Sequence, residues 1–418
     1  MSIIHLIVVC ALIMGTVQIV TLFKAILYAR FLYPYFYKPR FLQGTAYPTV
    51  HLFVPCKGRS ERLEQVIEAF ATQEYPNCFR VTFVTESDED GAVPLLREAV
   101  QRHPHLRHKV AGLAQRCGQK NHNLLVAMQD DTESEVFAFA DADVLTESHW
   151  LKSLMQPLTL GSRYIVTGLP SGRISQPTYA QGMEAAYTTF QARYVMAITA
   201  LWGGTFAIWR ETLDKIDGTA TWSSTVVDDI ALYERIEIFN QKAPSDQQLL
   251  VYPLPDLPSD IPTRMPAVSN LIHWFTRQIL FMRYHRRLVW QVAVLGNLVQ
   301  ATLILSGPLL LLFGTSEASQ RAGWICVFFY LYLVLMNIAQ ALIRRSSDFF
   351  NWTWIKGCLV GDLIAAVCLF RSVYARDLRW AGIRYTFDRN GRVAEVIHPS
   401  KQHSEHAAST ASSRSPRP

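Results

Sequence analysis

Hydrophobic residues fall into two kinds of block along the chain. Residues 3–23 form an apolar block without a formal charge, which is about the length that crosses a bilayer. Three further apolar blocks lie near the C-terminus, at residues 290–313, 324–343 and 355–370. Between residues 48 and 270, short apolar runs alternate with segments in which apolar residues recur every three or four positions. This pattern predicts a folded middle region that is attached to a membrane at both ends.

The middle region is expected to fold as strands that alternate with helices. Residues 49–55 form an apolar run that ends at a proline, and the next segment carries Leu63, Val66, Ile67 and Phe70 at helical spacing. The predicted strands are TVHLFVP, RVTFVTE, HKVAGLA and VFAFADAD, and the predicted helices lie in CKGRSERLEQVIEAFATQEYP, DGAVPLLREAVQRHP and QKNHNLLVAMQD. This order predicts an α/β fold with a mainly parallel central sheet, whose ligands bind beyond the carboxyl ends of the strands.

The same pattern divides the chain into six segments. They are an N-terminal transmembrane anchor at 1–24, an α/β domain at 48–270, an interfacial amphipathic helix at 271–289, C-terminal membrane segments at 290–370, a basic segment of cytosolic type at 371–400 and a disordered tail at 401–418. The segment at 271–289 mixes aromatic, aliphatic and arginine residues, as helices at lipid headgroups do. A core helix with one basic face is the alternative.

Basic residues at the borders of the apolar blocks indicate how the chain is oriented. They follow the first block and precede the second, so the middle region of this multi-pass protein is expected to face the cytoplasm. Four crossings would place the basic residues after the last block outside, and Asp362 within that block is costly in lipid. The sequence therefore favours a last block that does not cross the membrane.

Composition argues against nucleic acid as a partner. The net charge of +6 is concentrated at the membrane borders and in the tail, and no basic patch interleaved with aromatic residues occurs in the middle region. The seven cysteines include no Cys-x-x-Cys pair, which indicates a reducing compartment and no structural zinc.

Two carboxylates end the predicted fourth strand. Asp141 and Asp143 directly follow the apolar run FAFA, at the edge of the sheet where ligands bind. Carboxylates at this spacing suit a hard divalent cation that bridges phosphate oxygens. The chain has no Gly-rich loop of the P-loop kind, which argues against a P-loop kinase or ATPase. Solvated loop residues are the alternative, because acidic pairs are common at strand ends.

Eight segments, in order, resemble glycosyltransferase family 2, whose nucleotide-sugar domain has the GT-A fold. They are VPCKGRSERLEQVIEAFATQEYP, FVTESDEDGA, GQKNHNLL, FAFADADVLTESHWLKSLMQPL, WGGTFAIWRETLDKI, VVDDIALYERI, FTRQILFMRYHR and RWAGIRYTFDRNGRV. More narrowly, the chain resembles the membrane-bound ceramide glucosyltransferase group. The resemblance implies an enzyme that transfers a sugar from a UDP-sugar to a membrane lipid hydroxyl, with Mg²⁺ or Mn²⁺ as cofactor and ceramide as the leading acceptor.

The resemblance also implies roles for individual residues. Asp229 would be the general base that takes a proton from the acceptor hydroxyl, and Asp141 and Asp143 would bind the metal. The donor-binding residues would be Pro55, Lys57, Gly58, Glu86, Lys120, Asn123, Asp141, Asp143, Arg277 and Gln278, and the acceptor side would have Trp202, Gly203, Gly204 and Asp228. Lys120 would lie near the diphosphate, and Asp88 or Asp90 could replace Glu86.

One segment departs from the family pattern. Arg277 and Gln278 fall where the family has Gln-x-x-Arg-Trp, but Phe281 and Met282 stand in place of its Arg and Trp. In processive synthases this Trp contacts the acceptor sugar chain, so its absence favours a lipid acceptor over a polysaccharide. The diphosphate then lacks one arginine, for which Arg277 and Arg283 are both candidates.

Alternatives to these roles follow from the residues themselves. Asp228 and Asp229 open a helical stretch, where aspartate is also favoured for purely structural capping. A single base predicts direct displacement with inversion at the anomeric carbon. A polyprenyl-phosphate sugar transferase would need less of a base and more cationic contacts, and a catalytically decayed nucleotide-sugar binding protein is the alternative outside the enzymes.

Overall fold

The computed structural model describes residues 3–343 and 351–399, so the predicted disordered tail at 401–418 lies outside the described residues. The α-helices are α1 Ile3–Leu27, α2 Lys38–Phe41, α3 Leu63–Ala71, α4 Val93–Arg102, α5 Gln119–Met128, α6 Trp150–Met155, α7 Tyr179–Ile198, α8 Arg210–Lys215, α9 Gly218–Trp222, α10 Asp229–Lys242, α11 Val268–His285, α12 Arg287–Phe313, α13 Glu317–Ala339 and α14 Trp352–Tyr374. The strands are β1 Val50–Pro55, β2 Phe79–Thr85, β3 Leu106–Val110, β4 Val136–Ala140, β5 Tyr164–Arg173, β6 Thr205–Trp209, β7 Leu250–Pro262, β8 Leu378–Trp380, β9 Ile383–Phe387 and β10 Val393–Ile397.

A seven-stranded sheet forms the centre of the folded domain, in the order β3-β2-β1-β4-β6-β5-β7. Neighbouring strands are parallel except at β6, which is antiparallel to both β4 and β5. The predicted α/β class with a mainly parallel sheet is therefore confirmed. Because β6 runs the other way, the residues that precede it meet the same edge as the carboxyl ends of the other strands.

The apolar run of β4 is continuous because both faces of this strand are covered. Ala138 and Ala140 belong to the core formed with α3, α4 and α6, whereas Phe137 and Phe139 belong to the core on the opposite face. The Phe139 ring stacks on Phe206 of β6 at a centroid distance of 4.6 Å. A strand in the middle of a sheet with helices on both faces leaves no side for polar residues, so its first carboxylate comes where the sheet ends.

One predicted strand lies earlier in the sequence than expected. HKVAGLA covers residues 108–114, but β3 is Leu106–Val110. Leu106 is fully buried and pairs with Val81 of β2, while Gly112 has a φ of +78°. A left-handed backbone at Gly112 cannot continue a strand, which explains why β3 ends before it.

Four helical segments are long and apolar enough to cross a membrane: residues 4–41, 287–313, 317–342 and 352–374. The first extends beyond the predicted anchor at 1–24, because α1 continues through a π-helical segment, Tyr28–Tyr37, into α2. The last contains Asp362, whose carboxylate accepts hydrogen bonds of 2.8 Å from Gln300 and 2.8 Å from Asn337. These partners come from the two other C-terminal candidate spans and satisfy the polar group that the sequence marked as costly.

The segment predicted as one interfacial helix at 271–289 is divided between two helices. α11 ends at His285 and α12 begins at Arg287, because Arg286 has an extended φ of −135°. The Arg286 guanidinium forms an ion pair with Glu237 of α10. This ion pair attaches the start of the first C-terminal apolar helix to the α/β domain.

A separate antiparallel sheet, β10-β9-β8, follows the last apolar helix and packs on the α/β domain. The Gln119 N–H donates to the Tyr385 hydroxyl at 3.2 Å, and the Val393 N–H donates to the Ser224 carbonyl at 2.8 Å. Leu378, Ile383 and Tyr385 share a buried cluster with α10 and α11. The basic segment at 371–400 therefore contains a folded part of the domain.

Two glycines allow α7 and α14 to pack closely. A Cβ atom on Gly357 of α14 would lie 2.3 Å from the carbonyl oxygen of Gly182 in α7. A Cβ on Gly182 would lie 2.1 Å from the Thr353 carbonyl oxygen. Since both clashes involve backbone atoms, no rotamer change relieves them.

Gly357→Ala is expected to lower the melting temperature by several degrees, because overpacking a tight contact costs about 1–3 kcal/mol. Gly361→Ala is the matched control: it lies one turn further along α14, and a Cβ there meets nothing within 4 Å. Thermal unfolding of the detergent-purified protein measures both. Equal melting temperatures for the two variants would contradict the close packing of α7 and α14.

Candidate active site

A cavity of about 480 Å³ opens at the edge of the central sheet where β1, β2 and β4 end. It brings together every residue that the sequence predicted for the site. From the predicted set, it is lined by Pro55, Lys57, Gly58, Glu86, Lys120, Asn123, Asp141, Asp143, Trp202, Gly203, Gly204, Asp228, Asp229, Arg277 and Gln278. Residues from seven different segments of the chain therefore converge on one concave surface, as is usual for a ligand site.

The loop after β1 is shaped by an acidic residue from the loop after β2. The Gly58 N–H donates to both carboxylate oxygens of Asp90, at 2.9 and 3.1 Å, and Gly58 has a φ of +69°. Glu86 lines the cavity and pairs with Lys57 at 2.9 Å. Asp88 instead pairs with Arg97 away from the cavity. Of the three acidic candidates, only Glu86 lies in the cavity wall.

Lys120, near the start of α5, lies between two carboxylates. Its Nζ is 2.7 Å from Asp141 Oδ1 and 3.0 Å from Asp228 Oδ2, and it donates to the Gly203 carbonyl at 3.0 Å. The Lys120 side chain is only 13% exposed. Burial alone would lower the pKa of Lys120, but these two carboxylates outweigh it and hold the pKa above its usual value. Lys120 is therefore a fixed positive charge that joins β4, β6 and α10.

The carboxylates at the end of β4 carry more negative charge than their surroundings neutralise. Burial, together with the charges of Asp143 and Asp228, raises the pKa of Asp141 to about 7, although Lys120 acts in the opposite direction. Asp143 Oδ1 is buried and has no hydrogen-bond partner among the described residues. The nearest cation to the other oxygen of Asp143 is Arg264, at 3.5 Å.

This donor set fits a divalent cation that is shared with a ligand. No group of three or more His, Cys, Asp or Glu side chains within the described residues is arranged to hold a metal ion without other ligands. Two carboxylates with an orphaned buried oxygen nevertheless match the habit of Mg²⁺, which takes one or two protein carboxylates and completes its shell with phosphate and water oxygens.

Asp229 begins α10 with its carboxylate in the cavity wall. Its Oδ2 accepts a hydrogen bond of 2.7 Å from the Gly203 N–H, and its Oδ1 accepts one of 2.7 Å from the Ile230 N–H. Burial and the adjacent charge of Asp228 raise the pKa of Asp229 to about 6, against the lowering effects of Lys120 and the two backbone N–H groups. Asp228 is the N-cap residue but makes no side-chain capping hydrogen bond. Its side chain faces Lys120 instead, so capping does not explain this pair of aspartates.

Gly203 leaves room for the close approach of Asp229. A Cβ atom at Gly203 would lie 3.0 Å from Asp229 Oδ2 and 3.1 Å from Asp228 Oδ1. At Gly204 a Cβ would overlap the Trp202 ring at 2.1 Å. The two glycines therefore let the backbone before β6 pass between an indole ring and two carboxylates.

The two arginines that were candidates for the missing arginine, Arg277 and Arg283, lie in different surroundings. Arg277 lines the cavity, whereas Arg283 donates hydrogen bonds to the Ser372 and Ala375 carbonyls at the end of α14. Phe281, which stands where the family has Arg, also lines the cavity. Burial lowers the pKa of Arg277 to about 10, which still leaves it charged at neutral pH.

Several cavity residues have no role predicted from the sequence. Glu184 of α7 is buried, and its Oε2 accepts from the Arg264 N–H at 2.8 Å and the Met265 N–H at 3.0 Å. These bonds hold the loop after β7 so that Arg264 reaches Asp143. Trp380 belongs to a segment that carries the family resemblance, RWAGIRYTFDRNGRV, which was the one available signal.

The solved structures to which this chain is similar include two glycosyltransferases of low sequence identity. A mannosyltransferase from Pyrobaculum calidifontis, in complex with GDP-Man and Mn²⁺, has a TM-score of 0.45 and 16% identity, with 86% of this chain and 98% of that chain covered. A glucosyl-3-phosphoglycerate synthase from Mycobacterium tuberculosis, in complex with phosphoglyceric acid, has a TM-score of 0.39 and 13% identity, with 60% of this chain and 84% of that chain covered. A comparison with curated proteins gives no match.

Comparison with protein families gives a match over nearly the whole described chain. The model of glycosyl transferase family 21 matches residues 3–393, from the first apolar helix to the start of β10. This span includes all of the predicted site residues and confirms the resemblance to the ceramide glucosyltransferase-like group. The chain therefore belongs to glycosyl transferase family 21 and is a glycosyltransferase of the ceramide glucosyltransferase-like group.

Proposed function

We propose that this glycosyltransferase moves a sugar from a UDP-sugar to the hydroxyl of a membrane lipid, with ceramide as the leading acceptor, and inverts the anomeric configuration. The observation that carries the proposal is Asp229, a cavity carboxylate with a pKa raised to about 6. A carboxylate with this pKa is ionised at neutral pH and is a better base than an ordinary aspartate. No second nucleophilic carboxylate is assigned, since one base suffices for direct displacement.

The reaction is a single displacement. The acceptor hydroxyl oxygen attacks the anomeric carbon while its proton passes to a carboxylate oxygen of Asp229. The bond from that carbon to the diphosphate oxygen breaks, and its electron pair leaves with the diphosphate. Each oxygen of Asp229 accepts one backbone hydrogen bond, from Gly203 or Ile230, and each retains a lone pair for the proton. Attack opposite to the leaving group inverts the configuration.

Asp141 and Asp143 are the residues that would hold Mg²⁺ or Mn²⁺. The cation would supply charge neutralisation for the leaving diphosphate. Support comes from the unpartnered Asp143 Oδ1 and from the raised pKa of Asp141, since burial and the neighbouring carboxylates outweigh the charge of Lys120 there.

Arginines, rather than Lys120, are proposed as the direct ligands of the diphosphate. The Lys120 ammonium has three donors, and two carboxylates and a carbonyl already lie within 3.0 Å of it. Arg264 and Arg277 line the cavity, and the structure's described residues include no carboxylate paired with Arg277. Planar guanidinium groups also match phosphate oxygens better than an ammonium does.

A lipid acceptor is supported by the helices beside the cavity. α11 contributes Trp274, Arg277 and Gln278 to the cavity wall. Phe275, which directly follows Trp274, faces α7 and α14. The Tyr187 ring of α7 contacts both Trp274 and Phe275, at centroid distances of 5.1 and 4.0 Å. An aromatic layer therefore lies between the cavity and a candidate membrane helix, where a lipid hydroxyl would approach.

We also propose that α14 does not cross the membrane and that the whole catalytic unit faces the cytoplasm. The sheet β8–β10 follows α14 and packs on the α/β domain that precedes α12, which supports an even number of crossings between the domain and this sheet. Both ends of α14 contact helices that pack on the α/β domain. Thr353 lies against Gly182 of α7, and the Ser372 carbonyl accepts a hydrogen bond from Arg283 of α11. α12 and α13 then form the crossing hairpin.

Transfer of label from UDP-sugars tests the proposed function. A panel of radiolabelled UDP-sugars is offered with ceramide or diacylglycerol and Mg²⁺ or Mn²⁺ to the detergent-purified enzyme and to Asp229→Asn. Loss of the base is expected to reduce transfer by about 10²–10⁴-fold. Asp130→Asn is the matched control, because Asp130 is 80% exposed, lies outside the cavity lining and forms a surface ion pair with Lys109.

Unchanged transfer to these hydroxyl lipids by Asp229→Asn would disprove the base role. Binding of UDP-sugars without any transfer would exclude the lipids in the panel as acceptors.

The rate is expected to fall at acidic pH. Since the pKa of Asp229 is raised to about 6, the carboxyl is protonated below that pH and cannot accept the hydroxyl proton. The value of kcat/KM should therefore decrease about tenfold per pH unit below about 6. The profile is measured at limiting and at saturating Mn²⁺, because bound Mn²⁺ would hold Asp141 ionised. An acid limb that disappears at saturating Mn²⁺ would belong to Asp141 and not to Asp229.

The proposed topology predicts the side on which single cysteines react. In a Cys78→Ser background, Asn390→Cys in the β9–β10 turn and Asp130→Cys in the α/β domain should react with an impermeant maleimide from the same side of sealed vesicles. Thr315→Cys, between α12 and α13, is the control and should react from the other side. Labelling of Asn390→Cys from the side of Thr315→Cys would contradict the proposal. All three positions are exposed.

A further inference from the structure

Arg277 is a buried cation without a counter-charge. It lies on α11 in the cavity wall, and the structure's described residues include no carboxylate within ion-pair distance of it. Its Nε is buried and has no hydrogen-bond partner among those residues. A guanidinium that has lost water and gained no carboxylate needs another stabilising contact, or an anionic ligand.

Trp380 supplies that stabilising contact from a distant part of the sequence. The guanidinium carbon of Arg277 lies over the Trp380 ring, 5.2 Å from its centroid, which is within cation–π range. Trp380 also packs on Phe281, at a centroid distance of 6.0 Å. Phe281 is the residue that stands in place of the arginine of the Gln-x-x-Arg-Trp segment.

The position of Trp380 is fixed by the C-terminal sheet. Trp380 ends β8, and the tight turn to β9 has left-handed residues at Ala381, with φ +51°, and Gly382, with φ +85°. Ala381 and Tyr385 also line the cavity. Tyr385 is almost completely buried, and its hydroxyl accepts the first N–H of α5. The indole is therefore presented to the cavity by a well-anchored sheet.

We propose that Arg277 and Trp380 together take the place of the arginine and tryptophan that the Gln-x-x-Arg-Trp segment of this chain lacks. Arg277 is a ligand of the donor diphosphate, and Trp380 is a positioning residue that holds the guanidinium in the cavity. The nature of the donor rests on the proposed function, but the pairing of the two side chains does not. A planar guanidinium on an indole face keeps its N–H edge free for phosphate oxygens.

Binding of inorganic pyrophosphate, UDP and uridine to the full-length enzyme tests the pair. The variants are Arg277→Gln, Trp380→Leu, Trp380→Phe and the double variant Arg277→Gln/Trp380→Leu. Calorimetry gives each affinity, and thermal unfolding gives the stability of each variant. Arg379→Gln is the matched control, because this neighbouring side chain is 71% exposed and lies on the far side of the strand from Trp380 by β-strand alternation.

The expected result is a loss of about tenfold in pyrophosphate and UDP affinity for both Arg277→Gln and Trp380→Leu, with uridine affinity unchanged. The double variant should lose no more than either single variant, because both changes remove one interaction. Trp380→Phe should retain most of the affinity, and Arg379→Gln all of it.

Three results would overturn the proposal: unchanged pyrophosphate affinity in Trp380→Leu, additive losses in the double variant, or a parallel loss of uridine affinity with a lower melting temperature. The last would make Trp380 merely structural. If the unmodified enzyme binds pyrophosphate through this pair but binds neither UDP nor uridine, the pair is supported while the proposed UDP-sugar donor is disproved.

Discussion

The burial of Lys120 between Asp141 and Asp228 is the interaction on which the site depends. A buried ammonium is stable only if its charge and all its donors are satisfied, and here two carboxylates and the Gly203 carbonyl satisfy them. The partners come from the end of β4, the start of α10 and the backbone before β6. One lysine thus fixes the relative positions of the predicted metal ligands and Asp229.

The same cluster is the physical basis of the proposed metal site. Four carboxylates, those of Asp141, Asp143, Asp228 and Asp229, outnumber the cations near them in the described part of the chain, which are Lys120 and Arg264. Burial and mutual repulsion therefore raise the pKa values of Asp141 and Asp229. A divalent metal would add positive charge beside Asp141 and Asp143, and the diphosphate would add negative charge beside the cavity arginines. The stability of this cluster and the proposed affinity for a metal would therefore have the same electrostatic origin.

The sequence was sufficient to predict those features of the fold and of the site that depend on neighbouring residues. An apolar run followed by Asp141 and Asp143 predicts a central strand and a polar edge, because strand periodicity and burial act within a few residues. The sequence could not predict the hydrogen bond between Glu184 and the loop that carries Arg264, because this contact depends on how α7 packs on β5. The choice between Arg277 and Arg283 likewise depends on which side of α11 faces α14.

The C-terminal sheet shows how a departure from a motif can be compensated by the fold. Because Phe281 and Met282 stand in place of Arg and Trp, α11 lacks a charged and an aromatic side chain of the motif. Phe281 instead packs against Trp380, and the Arg277 guanidinium lies over the Trp380 ring. The sequence around α11 could not indicate the contact with Trp380, since three apolar helices, α12, α13 and α14, separate α11 from Trp380 along the chain. The return of the chain to the domain also supports the proposed topology, because a sheet that forms part of the cavity wall would lie on the same side of the membrane as β4. The proposed catalytic geometry and the proposed membrane topology therefore both depend on the packing of β8–β10 on α10 and α11.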